Sequence, residues 1–259
     1  MMKSAEMADI IVFDLDKTLS ESKMPIDPDM SALLCALLRV KKVAVISGAA
    51  FTQFETQFLS RLTCPPEALE NLFLLPTNGA SLYEYKDNAW VSIYRVSFTD
   101  DEKKKIFVAL ENTFKKTNFQ KPKESHGQLV EDRDTQITFS GLGSEAPLAL
   151  KEKWDPDHAK REVLARELRA ELPDFSISIG GATSIDITRK GIDKAYGIKK
   201  LMNRLRYEPK QIFYVGDALF PGGNDASVIS LGVAYQSVEK GGIAETKNII
   251  RRILSKKVI

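Results

Sequence analysis

The reading of the fold turns on Ile10-Ile11-Val12-Phe13-Asp14-Leu15-Asp16-Lys17-Thr18. Its first four residues are a continuous apolar run, β-branched and aromatic. That is the pattern of a strand buried on both faces in a parallel sheet. The run stops at two carboxylates two residues apart. Two further runs behave alike: Val43-Ala44-Val45-Ile46 stops at Ser47-Gly48, and Ile212-Phe213-Tyr214-Val215 stops at Gly216-Asp217. Helical apolar spacing over about 30–39, again after Ser47-Gly48 to about Leu62, and over about 194–205 supplies the intervening elements. Strands alternating with helices imply right-handed βαβ units and a parallel sheet with helices on both faces. Ligands of such sheets bind beyond the carboxyl ends of the strands. Asp14, Ser47 and Asp217 are therefore expected to meet at one edge.

The middle of the chain has another rhythm. Gln136-Ile137-Thr138-Phe139 and Ser176-Ile177-Ser178-Ile179 alternate like half-exposed strands. Ser97–Lys116 opens with Thr99 and acids and becomes amphipathic, a capped helix, and Asp157–Leu172 reads as a second. The expected organisation is an α/β core from 1–88 and 189–259, with an inserted α+β domain over 89–188 built on an antiparallel sheet.

The 259 residues, 43% hydrophobic, suffice for one large core plus a smaller one. Thirty-seven basic against 35 acidic residues leave a net charge of +2, which gives no strong field for nucleic acid or an anionic membrane, although it is compatible with a local basic patch. The expected partner is a small molecule. No signal peptide and no membrane-length apolar run is read. Two cysteines, Cys35 and Cys64, and two histidines, His126 and His158, make a zinc site of the usual kind a poor fit. Scarce cysteines beside a large core fit a reducing, cytoplasmic setting. Gly141-Leu142-Gly143-Ser144-Glu145-Ala146 matches a dinucleotide fingerprint only superficially, because Pro147 follows where a helix should open.

The chemistry-bearing residues lie at the strand ends. Asp14 and Asp16 suit two jobs, attack on phosphorus and proton transfer to the leaving oxygen. Thr18 offers a hydroxyl to a phosphate; so does Ser47, beside Gly48. Asp217 and Asp225, in the glycine-flanked run 216–225, are hard oxygen ligands suited to Mg²⁺. Lys194 would neutralise a phosphate oxygen. Each alone has an ordinary structural reading as a helix cap, turn or solvated charge.

As an ordered set they resemble the haloacid dehalogenase (HAD) superfamily: Asp14–Thr18 its first motif, Ser47 its second, Lys194 its third, Asp217 with Asp225 its fourth. The inserted region resembles the large α/β cap of the HAD-IIB branch. Pro221-Gly222-Gly223-Asn224-Asp225, Ser178-Ile179-Gly180-Gly181 with Ser184-Ile185-Asp186, Pro76-Thr77-Asn78-Gly79 and Asp193-Lys194 are similar to segments of eukaryotic-type phosphomannomutases. The resemblance implies a three-layer Rossmann-like core, an aspartyl-phosphate on Asp14 and Asp16 as acid and base. It also implies Mg²⁺ held by Asp14, the Asp16 backbone carbonyl and Asp217, with Asp225 supporting or ligating. In the cap it points to Arg133, Lys151, Ser184 and Asp186 as substrate contacts, and a homodimer is compatible with it. The family grips a distal phosphate with several cap arginines; Arg133 matches one, but Ser144 and Lys151 stand where two others are expected. A lysine offers a point charge in place of a bidentate fork. That departure tips the expectation to a Mg²⁺-dependent sugar-phosphate phosphatase, with a phosphomannomutase as the alternative and a non-catalytic phosphosugar-binding module as a minor one.

Overall fold

The computed structural model describes residues 5–180 and 182–256. The chain divides into two compact units, residues 1–95 with 193–259 and residues 96–192.

The first unit is built on a seven-stranded sheet in the order β11-β10-β1-β2-β3-β4-β5. β1 (Ile10–Asp14), β2 (Lys42–Ile46), β3 (Leu72–Leu75), β10 (Ile212–Gly216) and β11 (Ala234–Ser237) run parallel; β4 (Ser81–Lys86) and β5 (Ala89–Arg95) turn back antiparallel at one edge. The expected boundary at 88/89 falls before β5, but β5 pairs along β4 and so completes the large sheet.

The unalternating runs have the expected cause. Ile11, Phe13, Val43, Val45, Phe213 and Val215 face one layer, with α1 (Pro28–Leu38) and α7 (Gly242–Ser255) packed over them. Ile10, Val12, Ala44, Ile46, Ile212 and Tyr214 face the other, under Ile198 and Leu201 of α6 (Lys194–Leu205). A strand apolar on both sides fits only between two layers, which fixes the three-layer core. α1 begins where Asp27 accepts the Met30 N–H and Pro28 takes a first-turn position. α2 (Phe51–Gln57) follows β2. Cys35 on α1 is joined to Cys64 by a disulfide. Cysteine scarcity suggests a reducing setting; the bridge runs against that expectation, since such bonds persist mainly in oxidising surroundings.

The second unit is a four-stranded antiparallel sheet in the order β6-β7-β9-β8: β6 (Val130–Asp132), β7 (Ile137–Ser140), β8 (Phe175–Gly180) and β9 (Ser184–Arg189). Ile137, Phe139, Ile177, Ile185 and Ile187 pack on α3 (Asp100–Lys116) and α5 (Ala159–Glu171). α3 starts at a capping box: Thr99 accepts from Glu102 N while Glu102 accepts from Thr99 N. A short α4 (Leu148–Trp154) precedes a buried ion pair, Asp155 with Arg161, 2.7 Å apart; Arg161 also donates to the Gly180 carbonyl. Among the described residues, no helix is long and apolar enough to cross a membrane.

Candidate active site

The sheet register levels the strand ends: Asp14 sits opposite Ile46, and Phe13 opposite Val215. β1 thus ends in Asp14, β2 leads into Ser47 and β10 into Asp217. Lys194 comes from the start of α6. Asp193 caps α6 by accepting the Tyr196 N–H at 2.8 Å, which makes Lys194 the first helical residue. Its side chain is fully buried.

The lysine is the hub. Its Nζ makes a short charged hydrogen bond to Asp14 Oδ1 and donates to Asp225 Oδ1 at 2.6 Å. The Tyr214 hydroxyl donates to the same Asp225 oxygen at 2.7 Å, and Ala218 N–H to the other at 3.0 Å. Asp225 lies so close to the backbone of β10 that a Cβ on Gly216 would fall 2.3 Å from its Oδ2. The glycine permits that approach. Asp14, Asp217 and Asp225 each offer a carboxylate oxygen, and the three atoms lie within 4.8 Å of one another.

The electrostatics follow from three acids around one base. Burial pushes Asp14 up to about 7 against the pull of Lys194, and the negative charge of Asp225 adds to the rise. Burial would raise Asp225 too, but Lys194, Tyr214 and the Ala218 N–H outweigh it and hold it below the usual carboxylate range. Burial, then Asp225, raise Asp217. Burial would lower Lys194, but the two carboxylates more than reverse this and keep it charged. One ammonium leaves the cluster short of positive charge. Three hard oxygen donors, with no thiolate or imidazole, fit a divalent cation of the Mg²⁺ kind.

The remaining first-unit candidates surround this cluster. Asp16 stays outside the carboxylate group: it is half-buried, and its Oδ1 accepts from Lys23 N at 2.6 Å. Ser47 is buried, its Oγ accepting from Ala49 N at 3.1 Å, with Gly48 beside it. Thr18 Oγ1 is buried with no protein partner, as a group awaiting a ligand oxygen would be; Ser20 Oγ is in the same state. Sequence reading missed Ser20, whose only signal was its spacing of two from Thr18 in one turn.

In the second unit, Ser184 and Asp186 alternate with the core residues Ile185 and Ile187, on the sheet face opposite the helices. Thr138 Oγ1 donates to Asp186 Oδ1 at 2.8 Å, and the Ser140 and Ser184 hydroxyls lie 3.3 Å apart. Arg133 is ion-paired with Glu131 at 2.8 Å. Lys151 is buried on α4 and donates to the Ser144 carbonyl at 2.9 Å.

Comparison with known proteins agrees with this geometry. The family model described as eukaryotic phosphomannomutase matches residues 30–255. The chain belongs to the eukaryotic phosphomannomutase family. It is 28% identical to phosphomannomutase 2 of Dictyostelium discoideum, over 96% of this chain and 97% of that protein. It is also 28% identical to a phosphomannomutase of Spinacia oleracea, over 88% of each. In fold it is similar to an IMP-nucleotidase of Plasmodium falciparum (TM-score 0.68, 15% identity, 97% of this chain and 69% of that one). A haloacid dehalogenase-like hydrolase of Bacteroides thetaiotaomicron is similar too (TM-score 0.64, 16% identity, 95% and 99%). Family membership covers both units, so this phosphomannomutase-family chain carries the cap as well as the motif-bearing core. The matched stretch begins after Asp14–Thr18, and the case for that motif rests on the strand-end geometry and the near full-length relatives.

Proposed function

We propose that this chain is a phosphomannomutase that interconverts mannose 1-phosphate and mannose 6-phosphate through a phosphorylated Asp14. The observation that carries the reading is membership of the family over core and cap together, which favours the mutase over the phosphatase suggested by the cap departures.

In this reading Asp14 Oδ attacks phosphorus, forming the acyl-phosphate bond as the phosphorus–sugar oxygen bond breaks. Asp16 gives its proton to the departing oxygen and takes one back when the other hydroxyl of a sugar monophosphate, at C1 or C6, attacks the acyl-phosphate; the hexose bisphosphate so formed returns its original phosphoryl group to Asp14 and leaves as the isomeric monophosphate. Thr18, Ser47 with Gly48, and Lys194 hold the phosphoryl oxygens. Lys194 links the nucleophile to Asp225 and carries positive charge to where negative charge develops. Mg²⁺ bound by Asp14, Asp217 and Asp225 would offset the remaining charge. In the cap, Ser184 and Asp186 orient the sugar, and Arg133 meets its far phosphate.

One observation favours the phosphatase as a second reading. Arg133 already pairs with Glu131 and Lys151 is engaged by a backbone carbonyl, so fewer cap cations are available to a distal phosphate. The products decide. With mannose 1-phosphate, Mg²⁺ and a hexose bisphosphate, the mutase yields mannose 6-phosphate without net phosphate release. Free phosphate formed in step with substrate loss would refute it.

A further inference from the structure

Pro76–Gly79, the turn after β3, is strained. Thr77 has φ 50°, Asn78 φ 56° and Gly79 φ 83°, three left-handed residues in succession. Only Gly79 is a glycine. A β-branched residue in this region is an outlier, and such strain persists where the surroundings over-determine it.

The surroundings do so here. Thr77 N–H donates to the Ala49 carbonyl at 2.9 Å and Asn78 N–H to the Ser47 carbonyl at 2.8 Å. The Tyr94 hydroxyl donates to the Gly79 carbonyl at 2.7 Å. The turn is thereby bolted to the loop carrying Ser47 and Gly48. Its backbone needs nothing further from Asn78's side chain.

Asparagine usually tolerates left-handed backbone because its amide bonds locally. That explanation fails for the Asn78 carbonyl oxygen: Oδ1 is buried with no hydrogen-bond partner. The amide lies over Gly48, where an added Cβ would sit 3.6 Å from Nδ2 and 3.7 Å from Oδ1. A buried polar atom without a partner costs stability, so it calls for an explanation.

We propose that Asn78 contacts the substrate, its side-chain oxygen accepting a hydrogen bond from a hydroxyl of the phosphorylated sugar. The inference rests on the phosphosugar reading above. An acceptor repels phosphate oxygens, so its ligand must carry a donor, and a sugar hydroxyl does. β3 stands two strands from β1, about 10 Å at the usual strand spacing. A sugar whose phosphate is at Asp14 and Ser47 reaches over Gly48 to that position.

Asn78→Gly tests this cleanly, because glycine keeps the left-handed backbone and removes only the amide. The expected result in the full chain with Mg²⁺ is a fall of about tenfold in kcat/KM for mannose 1-phosphate, from the lost hydrogen bond. The inhibition constant of inorganic phosphate, which has no sugar, should stay within twofold. Asn78→Asp, which keeps an acceptor and tolerates the same backbone, should retain more of the preference for mannose 1-phosphate over inorganic phosphate than Asn78→Gly. Unchanged kcat/KM in Asn78→Gly overturns the proposal, as does a parallel weakening of inorganic phosphate. A parent chain that leaves mannose 1-phosphate intact overturns the phosphosugar reading, and this inference with it.

Discussion

Replacing Lys194 by methionine probes the hub of the site. The substitution keeps most of the side-chain volume and removes one charge. Lys194 is fully buried and bonded to Asp14 and Asp225, themselves 3% and 0% exposed. Taking one partner from a buried ion pair leaves charge uncompensated and costs about 3–5 kcal/mol. For a chain of this size each kcal/mol moves the midpoint by about 2–4 °C, so Tm should fall by roughly 6–20 °C. Activity should fall further, by about 10²–10³ in kcat, the usual loss for one stabilising donor at a developing charge. A divalent cation binding the stranded carboxylates should stabilise the variant more than the parent, by mass action. Thermal unfolding with and without millimolar Mg²⁺, beside steady-state turnover, reads all three effects. A variant that melts within 2 °C of the parent and keeps its kcat would refute the assignment of Lys194 as the balancing charge.

The cap has its own weak point in the Asp155–Arg161 pair. Asp155→Asn removes the carboxylate that neutralises the fully buried Arg161 guanidinium, and the second unit should lose about 3–5 kcal/mol, read as early proteolysis confined to residues 96–192. The same pair sets acid sensitivity. Burial would raise Asp155, but Arg161 and two backbone N–H groups hold it below its usual 3.8. A depressed carboxylate stabilises the fold above 3.8 and loses that contribution as pH falls through its lower folded value, so the parent's cap should loosen below about pH 4. A pH-unfolding curve of Asp155→Asn identical to the parent's would contradict this. Opening the Cys35–Cys64 bridge, which spans a sequence separation of 29, should lower stability by about 3.6 kcal/mol on the chain-entropy account. Activity at 25 °C should persist under dithiothreitol, since neither cysteine is among the site residues; loss of turnover on reduction alone would contradict a purely stabilising role for the bridge.

The core was legible because three of its strands are buried on both faces and say so in unbroken apolar runs. Their carboxyl ends carried the polar residues, and the rule for parallel sheets did the rest. β3 and the edge strands were harder. Leu72–Leu75 is a four-residue run between helix-like segments, and the short-strand rhythm of the insert is read from Ala89 onward, so β5 falls to the insert although it pairs along β4. β11 is short and only half-buried, and its pattern is too weak to read. At the site, sequence could propose Asp14, Lys194, Asp217 and Asp225. It could not show that Asp225 is held by Tyr214, a residue that reads as plain strand. Nor could it reveal Lys151 turned to a backbone carbonyl, since a helix-borne lysine carries no mark of where it points. The strain at Thr77 was equally invisible: asparagine and glycine beside it are compatible with left-handed backbone, but a β-branched threonine gives no sign of it.

The central claim is that Asp14 carries the phosphoryl group. It is tested most directly by mixing the chain with a hexose bisphosphate and Mg²⁺, reducing any acyl-phosphate with borohydride, and mapping the reduced residue by mass spectrometry. The account predicts modification at position 14 and none in Asp14→Asn. Modification at another residue, or equal turnover in Asp14→Asn, would contradict it.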